Sequence, residues 1–296
     1  MTFAAILNQY QDRYRARYRE STTPDQWSAI HAILGCRSGQ YGQILLACPQ
    51  CQSASQAFQS CGHRSCNQCQ NHAATRWLER QQAKLLPARY FMVTFTIPST
   101  LRAVARANAE TFYSAMFQCA SDTLKEFGLN DRKLAGTLGM TAVLHTHTRR
   151  LDYHPHIHIV LPGGSLHKGR REWRKRQGNY LFKEQNLAAV FRAKMLNTLA
   201  RKKLPLPPGV RTDWIVDCLC VGNGLSALQY LSRYLYRGVI RDHQIIADDG
   251  TEVTFRYQES KTGMYKTRTL PGEDFIALVI QHTLPKGFRR TRDYGG

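Results

Sequence analysis

Residues 143–161, VLHTHTRRLDYHPHIHIVL, decide the fold and carry the most distinctive polar pattern in the chain. His154, His156 and His158 occupy alternate positions of an apolar run. Side chains of a β-strand alternate between its two faces, so this spacing predicts three imidazoles on one face of a strand. Imidazoles held together at a strand surface are suited to binding a metal ion.

A second histidine pair precedes this strand. His145 and His147 show the same alternation, and the polar residues RRLDY between the two runs predict a connection that turns the chain back. Two antiparallel strands would then present five imidazoles on one surface. A single strand histidine usually has no ligand role, but two facing clusters favour a metal site.

The composition points to a nucleic-acid partner. The 296 residues include 41 Lys and Arg against 21 Asp and Glu, a net charge of +20. Such a charge attracts polyanions, so nucleic acid is the first expected partner and an anionic membrane surface the second. The sequence has no apolar run of membrane-spanning length and no signal-peptide pattern at its N-terminus. We therefore expect a cytoplasmic, nucleoid-associated protein that is not bound to a membrane.

The nine cysteines indicate metal binding, because disulfides are rare in a reducing compartment. Two C-x-x-C pairs, separated by fourteen residues, have the spacing of a structural zinc site: Cys48 with Cys51, and Cys66 with Cys69. A closed four-thiolate site leaves no open position, so its role would be folding and DNA contact. A second zinc would take His31, Cys36, Cys61 and His63. One zinc with spare cysteines is the alternative.

The first 34 residues have a helical pattern with tyrosines at 10, 14 and 18 on one face and arginines around it. Two interpretations are open. The helix lies on DNA, or it packs its tyrosines against the next part of the chain.

Residues 165–176, SLHKGRREWRKR, form a strongly basic run around one tryptophan. A solvated charged loop is the usual fate of such a run, but an indole among arginines favours contact with phosphates and stacking on a base. The predicted DNA-binding residues here are Arg170, Arg171, Trp173, Arg174, Lys175 and Arg176.

A tyrosine-rich helix is predicted between Leu225 and Arg237, after a glycine turn. Tyr230 and Tyr234 are about 40° apart on a helical wheel and share a face. Arg233 and Arg237 form a neighbouring stripe that suits phosphate oxygens. Packing of the tyrosines against a sheet is the alternative.

Together, the histidine edge, the helix with Y-x-x-x-Y and the positive charge fit transesterification of a DNA phosphodiester by tyrosine. A phenol is a poor nucleophile at neutral pH because its pKa is about 10. A divalent ion on the phosphate withdraws electrons and holds the group in line for attack.

These features resemble the HUH endonuclease superfamily, and within it the single-strand DNA transposases of the insertion-sequence-91 and ISCR type. The resemblance covers nearly the whole chain, through the N-terminal cysteine segment and the blocks KLLPARYFMVTFTIP, LHTHTRRLDYHPHIHIVLPGG, YLSRYLYRGVI, SKTGMYKTRTLPGEDF and LPKGFRRTRDYG. It implies an α+β fold with a central antiparallel sheet flanked by helices. A helical zinc-binding module at 1–82 would precede a catalytic domain at 83–296.

The resemblance also implies a mechanism. It is rolling-circle-like transposition, in which single-stranded element ends are cut and rejoined through a 5′-phosphotyrosine, with Mg²⁺ or Mn²⁺ at the catalytic site. His156 and His158 would be metal ligands, with His145 as the third and His147 as its substitute. Tyr230 and Tyr234 would be the nucleophiles, with their division of labour open.

The chain departs from many relatives of this type at Ser65, where they have histidine, and at Asn67, where they have proline. His63 is expected to replace the former. The chain also ends near DYGG where longer members continue, so we expect a shortened copy. The alternatives are a replication initiator or relaxase with the same chemistry, and an inactive zinc-containing DNA-binding regulator. A 2H-type phosphoesterase, suggested by HTHT at 145–148, lacks a second such motif.

Overall fold

The computed structural model describes residues 1–210, 214–236, 238–260 and 262–295. Helices and mostly antiparallel strands combine in it, and the predicted α+β class is confirmed. The chain forms two compact units: the first comprises residues 1–76, 147–153 and 233–283, and the second comprises 77–146, 154–232 and 284–296. The domain boundary between residues 82 and 83 stays a prediction.

The helices are α1 (Phe3–Tyr18), α2 (Pro24–Leu34), α3 (Asn71–Gln82), α4 (Arg102–Ala107), α5 (Ala109–Asn130), α6 (Glu184–Arg201), α7 (Leu225–Tyr236) and α8 (Gly272–Ile280). The strands are β1 (Gln43–Ala47), β2 (Ala54–Phe58), β3 (Tyr90–Thr96), β4 (Met140–His147), β5 (Tyr153–Pro162), β6 (Gly164–His167), β7 (Glu172–Lys175), β8 (Ile215–Cys220), β9 (Ile245–Asp248), β10 (Glu252–Gln258), β11 (Tyr265–Pro271) and β12 (Thr291–Tyr294).

The first unit has an aromatic core in which α1 and α8 pack together. Phe3 lies edge-on to Phe275, with 6.0 Å between ring centroids. Tyr10 and Tyr14 are buried, and the Tyr10 hydroxyl donates a hydrogen bond to Asp248. Burial, together with that hydrogen bond, raises the pKa of Tyr10 to about 12. The tyrosine face of α1 therefore packs in the core, while its arginines remain on the surface.

The second unit is built on a five-stranded sheet in the order β12-β4-β5-β3-β8. The alternation of β3 directs Phe91, Val93 and Phe95 into the core, where Phe95 meets Phe191 of α6 with 4.8 Å between ring centroids. The other face of β3 carries Thr94 and Thr96. Burial of one apolar face thereby fixes which side chains of the neighbouring strands point away from α6.

Candidate metal centre and nucleophile

Three of the predicted histidines come together on the second unit's sheet. His145 of β4 and His156 and His158 of β5 each offer one ring nitrogen, and these nitrogens all lie within 4.8 Å of one another. Ile157 and Ile159, between and beyond the β5 histidines, are fully buried on the opposite face. The alternation of β5 thus separates potential ligands from core residues, as the sequence pattern predicts.

His154 and His147, the other two predicted imidazoles, have different neighbours. His154 Nδ1 lies 2.8 Å from the Arg102 guanidinium in the second unit. Burial, together with the charge of Arg102, lowers the pKa of His154. In the first unit the His147 ring lies 5.1 Å from that of His282. Three of the five expected imidazoles therefore offer nitrogens that could share one metal ion, and the His154 ring lies beside them, 5.2 Å from that of His156.

Hydrogen bonds at the far side of the rings orient two of the three histidines. His158 Nδ1 lies 2.8 Å from Thr94 Oγ1, and His156 Nδ1 lies 2.7 Å from the backbone oxygen of His154. When Nδ1 carries the proton and donates it, Nε2 is the nitrogen with a free lone pair. Both rings then present Nε2 as a ligand, and such supporting hydrogen bonds are typical of metal-bound histidine.

Burial keeps both rings of this pair neutral. It lowers the pKa of His156 to about 4 and, together with the neighbouring His156, that of His158 to about 3. Neutral imidazole is the form that binds a metal. Nε2 of His158 is also buried and has no hydrogen-bond partner among the described residues. A nitrogen in that position fits a metal ion, since a buried polar atom without a partner is costly.

Tyr230 lies against this group. A turn at Gly224, which has φ +83° and packs against the Tyr90 ring, leads into α7. Leu228 and Leu231 are buried and form the apolar side of this helix. The half-buried Tyr230 ring lies 5.8 Å from the ring of His158 and 6.0 Å from that of His145.

Tyr234, one turn further along α7, belongs to the first unit and has other neighbours there. Its ring stacks on His147 with 5.4 Å between centroids and 30° between planes. The two predicted tyrosines therefore have different surroundings: Tyr230 contacts candidate ligands, and Tyr234 stacks on a histidine outside that group.

A second candidate metal-binding group lies in the first unit, where four cysteine sulfurs fall within 4.8 Å of one another: Cys36, Cys61, Cys66 and Cys69. The sulfurs of Cys61 and Cys69 are 3.7 Å apart. A tetrahedron with Zn–S bonds of about 2.3 Å has edges of about 3.8 Å, so this group fits zinc.

The environment of these thiols also fits a cation. Burial raises the pKa of Cys61 to about 12 and raises that of Cys66 still further. Burial likewise opposes ionisation of Cys69, but hydrogen bonds from Cys61 and Cys66 outweigh it and lower its pKa. Buried thiols that resist ionisation need a bound metal to become thiolates.

This group differs from both predicted zinc sets. Cys66 and Cys69 are joined by Cys36 and Cys61, not by Cys48 and Cys51, and neither of the latter is in any group of three or more potential ligands among the described residues. The 48–51 segment connects β1 to β2, where Cys48 N donates to Ser53 O and the Cys51 sulfur lies 3.0 Å from Ser53 Oγ. Strand β2 lies between the two C-x-x-C pairs, and the structure brings Cys36 and Cys61, not Cys48 and Cys51, next to Cys66 and Cys69. The ligand set of Cys48, Cys51, Cys66 and Cys69 stays a prediction.

His31 and His63, predicted for a second zinc, lie outside the cysteine group. The exposed His31 stacks on Trp27 with 6.3 Å between ring centroids. His63 Nδ1 accepts a hydrogen bond from Ser65 N. Asn67, the other departure from the family pattern, donates from its side chain to Asp242 at 2.7 Å. His63 thus lies outside the group of four cysteines, and its role as a substitute ligand stays a prediction.

The basic run 165–176 contains the hairpin of β6 and β7. Trp173 packs over Gly164, where a Cβ atom would overlap its ring, and remains 40% exposed. Arg174 pairs with Glu172 at 3.5 Å, and Arg176 pairs with Asp131. Two of the predicted DNA contacts are thus engaged within the protein. Arg170, Arg171, Lys175 and Arg233 are exposed, and Arg237 lies outside the described residues.

Two family models match the chain. A transposase zinc-binding domain matches residues 6–97, and a family described as "Putative transposase" matches residues 139–296. The putative transposase y4qJ of Sinorhizobium fredii (strain NBRC 101917 / NGR234) is 31% identical over 99% of this chain and 79% of its own length. The transposase for insertion sequence element IS801 of Pseudomonas savastanoi pv. phaseolicola is 27% identical over 90% of this chain and 68% of its own length.

The chain belongs to the transposase family of the insertion-sequence-91 type, with an N-terminal zinc-binding domain. The sequence resemblance to these transposases is thereby confirmed, and the cysteine group supplies a structural zinc site. No helix among the described residues is long and apolar enough to cross a membrane.

Solved structures give more distant matches. Conjugative relaxase TrwC in complex with mutant OriT DNA is 18% identical, with a TM-score of 0.33 over 42% of this chain and 48% of the relaxase chain. Its metal-bound structure with OriT DNA is 20% identical, with a TM-score of 0.34 over 43% and 49% of the two chains. The matched regions span about half of each relaxase chain.

Proposed function

We propose that this transposase cuts and rejoins single-stranded DNA ends through a 5′-phosphotyrosine on Tyr230. The observation that carries the proposal is the position of the Tyr230 ring, 5.8 Å from His158 and 6.0 Å from His145. Both histidines belong to a group whose ring nitrogens converge within 4.8 Å. A phenol beside a metal-binding group is the arrangement that attack on a phosphodiester requires.

His145, His156 and His158 are the proposed ligands of the catalytic ion. When bound, the ion supplies Lewis-acid polarisation of the scissile phosphate. Between the two expected ions, the three nitrogen donors favour Mn²⁺, because Mg²⁺ prefers oxygen ligands and retains its waters.

The reaction exchanges one phosphodiester for another. The Tyr230 phenol loses its proton, its oxygen bonds to phosphorus, and the bond from phosphorus to the 3′ oxygen breaks. The leaving 3′ oxygen takes up a proton and becomes a free hydroxyl, and the 5′ phosphate stays on Tyr230. Attack by a 3′-hydroxyl on this phosphotyrosine reverses the chemistry and rejoins a strand, so no ATP is needed.

Tyr234 is proposed for a second cleavage or for strand transfer, since it stacks on His147 outside the ligand group. The exposed basic side chains at 170, 171, 175 and 233, with Trp173, are proposed to hold the DNA strand. The cysteine group holds zinc for folding, and the protein is proposed to act at the nucleoid. Membership of the transposase family favours element ends as substrate over the origin of a replication initiator.

The test incubates the full-length, zinc-loaded chain with labelled single-stranded element-end DNA and Mn²⁺. A covalent adduct that survives denaturation is expected from the unaltered protein and from Tyr265→Phe, a variant of an exposed tyrosine. Tyr230→Phe should abolish the adduct, while Tyr234→Phe should retain the first cleavage. An adduct that persists in Tyr230→Phe and disappears in Tyr234→Phe would reverse the assignment, and one that persists in the double variant would refute it.

A further inference from the structure

A basic and aromatic cleft lies on the first unit, between α1 and α2. It has a volume of about 880 Å³ and is lined mainly by Arg15, Arg17, Arg19, Glu20, Trp27 and His31. None of these residues belongs to the histidine or cysteine groups. We propose that this cleft binds an unpaired nucleotide of a DNA strand, with its base on the aromatic rings and its phosphates on Arg15 and Arg19.

The aromatic part of the cleft is held in place by buried neighbours. The Tyr14 ring lies edge-on to Trp27, with 5.8 Å between centroids and 77° between planes. Tyr14 is itself buried and hydrogen-bonded to Thr22 at 2.8 Å. Helix α2, which carries Trp27, begins with a capping box between Thr23 and Gln26. A tryptophan fixed in this way presents its ring without a large entropy cost on binding.

His31 extends this aromatic surface outward. Its ring is exposed and lies 28° from the plane of Trp27, one turn earlier on the same helix. The Arg15 guanidinium lies 5.9 Å from the Trp27 ring. Planar rings beside a guanidinium form a stacking surface for a base, because every base presents a π-face.

The charges in the cleft leave two arginines available for phosphate. Arg17 pairs with Asp274 at 2.9 Å and with Glu273 at 3.8 Å, so its charge is offset. Arg15 and Arg19 are exposed and make no ion pair with any acidic side chain of the described residues. Among the residues that the structure describes, Glu20 is the one acid that lines the cleft. Two free guanidinium groups beside a stacking surface match a phosphate–base unit better than a purely apolar or cationic ligand.

The test measures fluorescence anisotropy of two labelled 12-mers, one of thymidines and one abasic, without added divalent ion. It uses the full-length, zinc-loaded chain. His31→Ala should weaken binding of the thymidine strand about ten-fold and leave the abasic strand unchanged, because it removes only stacking. The pair Arg15→Gln with Arg19→Gln should weaken both strands about ten-fold and reduce the slope of log K against log salt by about 1.4, as expected for two phosphates.

The matched control removes two charges elsewhere, by Arg13→Gln with Lys202→Gln. Both residues are exposed and lie outside the cleft lining, and binding should weaken less than about three-fold. An equal loss of DNA affinity in the control and in the cleft variant would refute the proposal. The proposal would also be refuted if His31→Ala weakened binding of the thymidine strand and of the abasic strand equally. Equal competition by polyglutamate of matched charge would refute it as well, because it would indicate a site for acidic peptides.

The cleft and the candidate catalytic site have only the DNA partner in common. Covalent adduct formation at saturating DNA is measured in parallel on the unaltered chain and on the control Arg13→Gln with Lys202→Gln, and it should be the same in both. A missing adduct in the unaltered chain would refute tyrosine chemistry and leave the anisotropy result standing. Normal adduct formation without an effect of the cleft variants on affinity would refute the cleft alone.

Discussion

Thr94 Oγ1 lies 2.8 Å from His158 Nδ1, across the pair of strands β3 and β5 in which these two residues are direct partners. This hydrogen bond joins the apolar core to the candidate metal centre, because the neighbouring residues of β3, Val93 and Phe95, are fully buried. The core thereby fixes the direction in which the His158 ring points.

Replacing Thr94 with valine should weaken Mn²⁺ binding. The change keeps the shape of the side chain but removes the hydroxyl, so the His158 ring loses its partner and its preferred tautomer. Loss of such a partner typically lowers metal affinity about 10–100-fold. Titration of Mn²⁺ followed by electron paramagnetic resonance measures this. Thr94→Ser should stay within about three-fold of the unaltered chain, and equal affinities of the valine and serine variants would contradict the role of the hydroxyl.

Zinc content should depend on the cysteine group found in the structure. Cys61→Ser removes one of four converging sulfurs, so the purified chain should lose its structural zinc and unfold at a lower temperature. Cys48→Ser with Cys51→Ser changes two thiols between β1 and β2, outside that group, and should retain the metal. Atomic absorption and thermal unfolding measure both effects. Zinc lost from the second variant but kept by the first would restore the assignment based on spacing.

Asp131 should stabilise the chain in a pH-dependent manner. Burial opposes its ionisation, but backbone N–H groups of Leu134 and Lys133 and the Arg176 guanidinium outweigh this and lower its pKa. A carboxyl with a lowered folded-state pKa contributes stability that is fully present above the unfolded pKa of about 3.9 and is lost as pH falls through the folded value.

Asp131→Ala should therefore lower the free energy of unfolding by about 1–2 kcal/mol at pH 7. This difference should narrow as the pH falls below the folded pKa, where the neutral carboxyl still accepts from the backbone N–H groups. Urea unfolding across the pH range measures it. Asp131→Asn keeps a side-chain oxygen for the backbone donors and should be the milder change. If the difference in unfolding free energy between the unaltered chain and Asp131→Ala were the same at pH 2 as at pH 7, the carboxylate charge would play no part.

Two glycines before α7 allow a matched comparison. Gly222 and Gly224 both have positive φ, +64° and +83°, but a Cβ on Gly224 would lie 2.7 Å from the Tyr90 ring and one on Gly222 would meet nothing within 4 Å. Gly222→Ala should cost about 1 kcal/mol of unfolding free energy through its backbone conformation. Gly224→Ala should cost about 1–3 kcal/mol more through the overlap, measured by denaturant unfolding. Equal losses of unfolding free energy in the two variants would mean that the Tyr90 ring moves aside without cost.

The sequence contains enough information to predict the class of fold and the histidine group. Period-two alternation in 153–162 separates the candidate ligand side chains from core side chains, and two adjacent histidine runs predict that the imidazoles converge. The role of Thr94 could not be predicted, because it depends on the register of β3 against β5, which alternation within one strand does not specify. Neither threonine of YFMVTFTI gives a local signal of this role.

The cysteine group shows what spacing along the sequence does not predict. The regular C-x-x-C pairs at 48–51 and 66–69 suggested one site, but the intervening chain folds into a hairpin, so distance along the sequence does not report distance in space. Cys36, which follows the end of α2, and Cys61 complete the group instead. Which four of the six cysteines between Cys36 and Cys69 converge depends on the path of the backbone.

The packing of α1 has a consequence for biosynthesis. The Tyr18 hydroxyl donates to Asp274, 256 positions further along the chain, and Phe3 contacts Phe275. Helix α1 must wait with its aromatic side uncovered until α8, which pairs with it from 256 positions further along the chain, has been translated. We therefore expect nascent chains released early to aggregate through this helix.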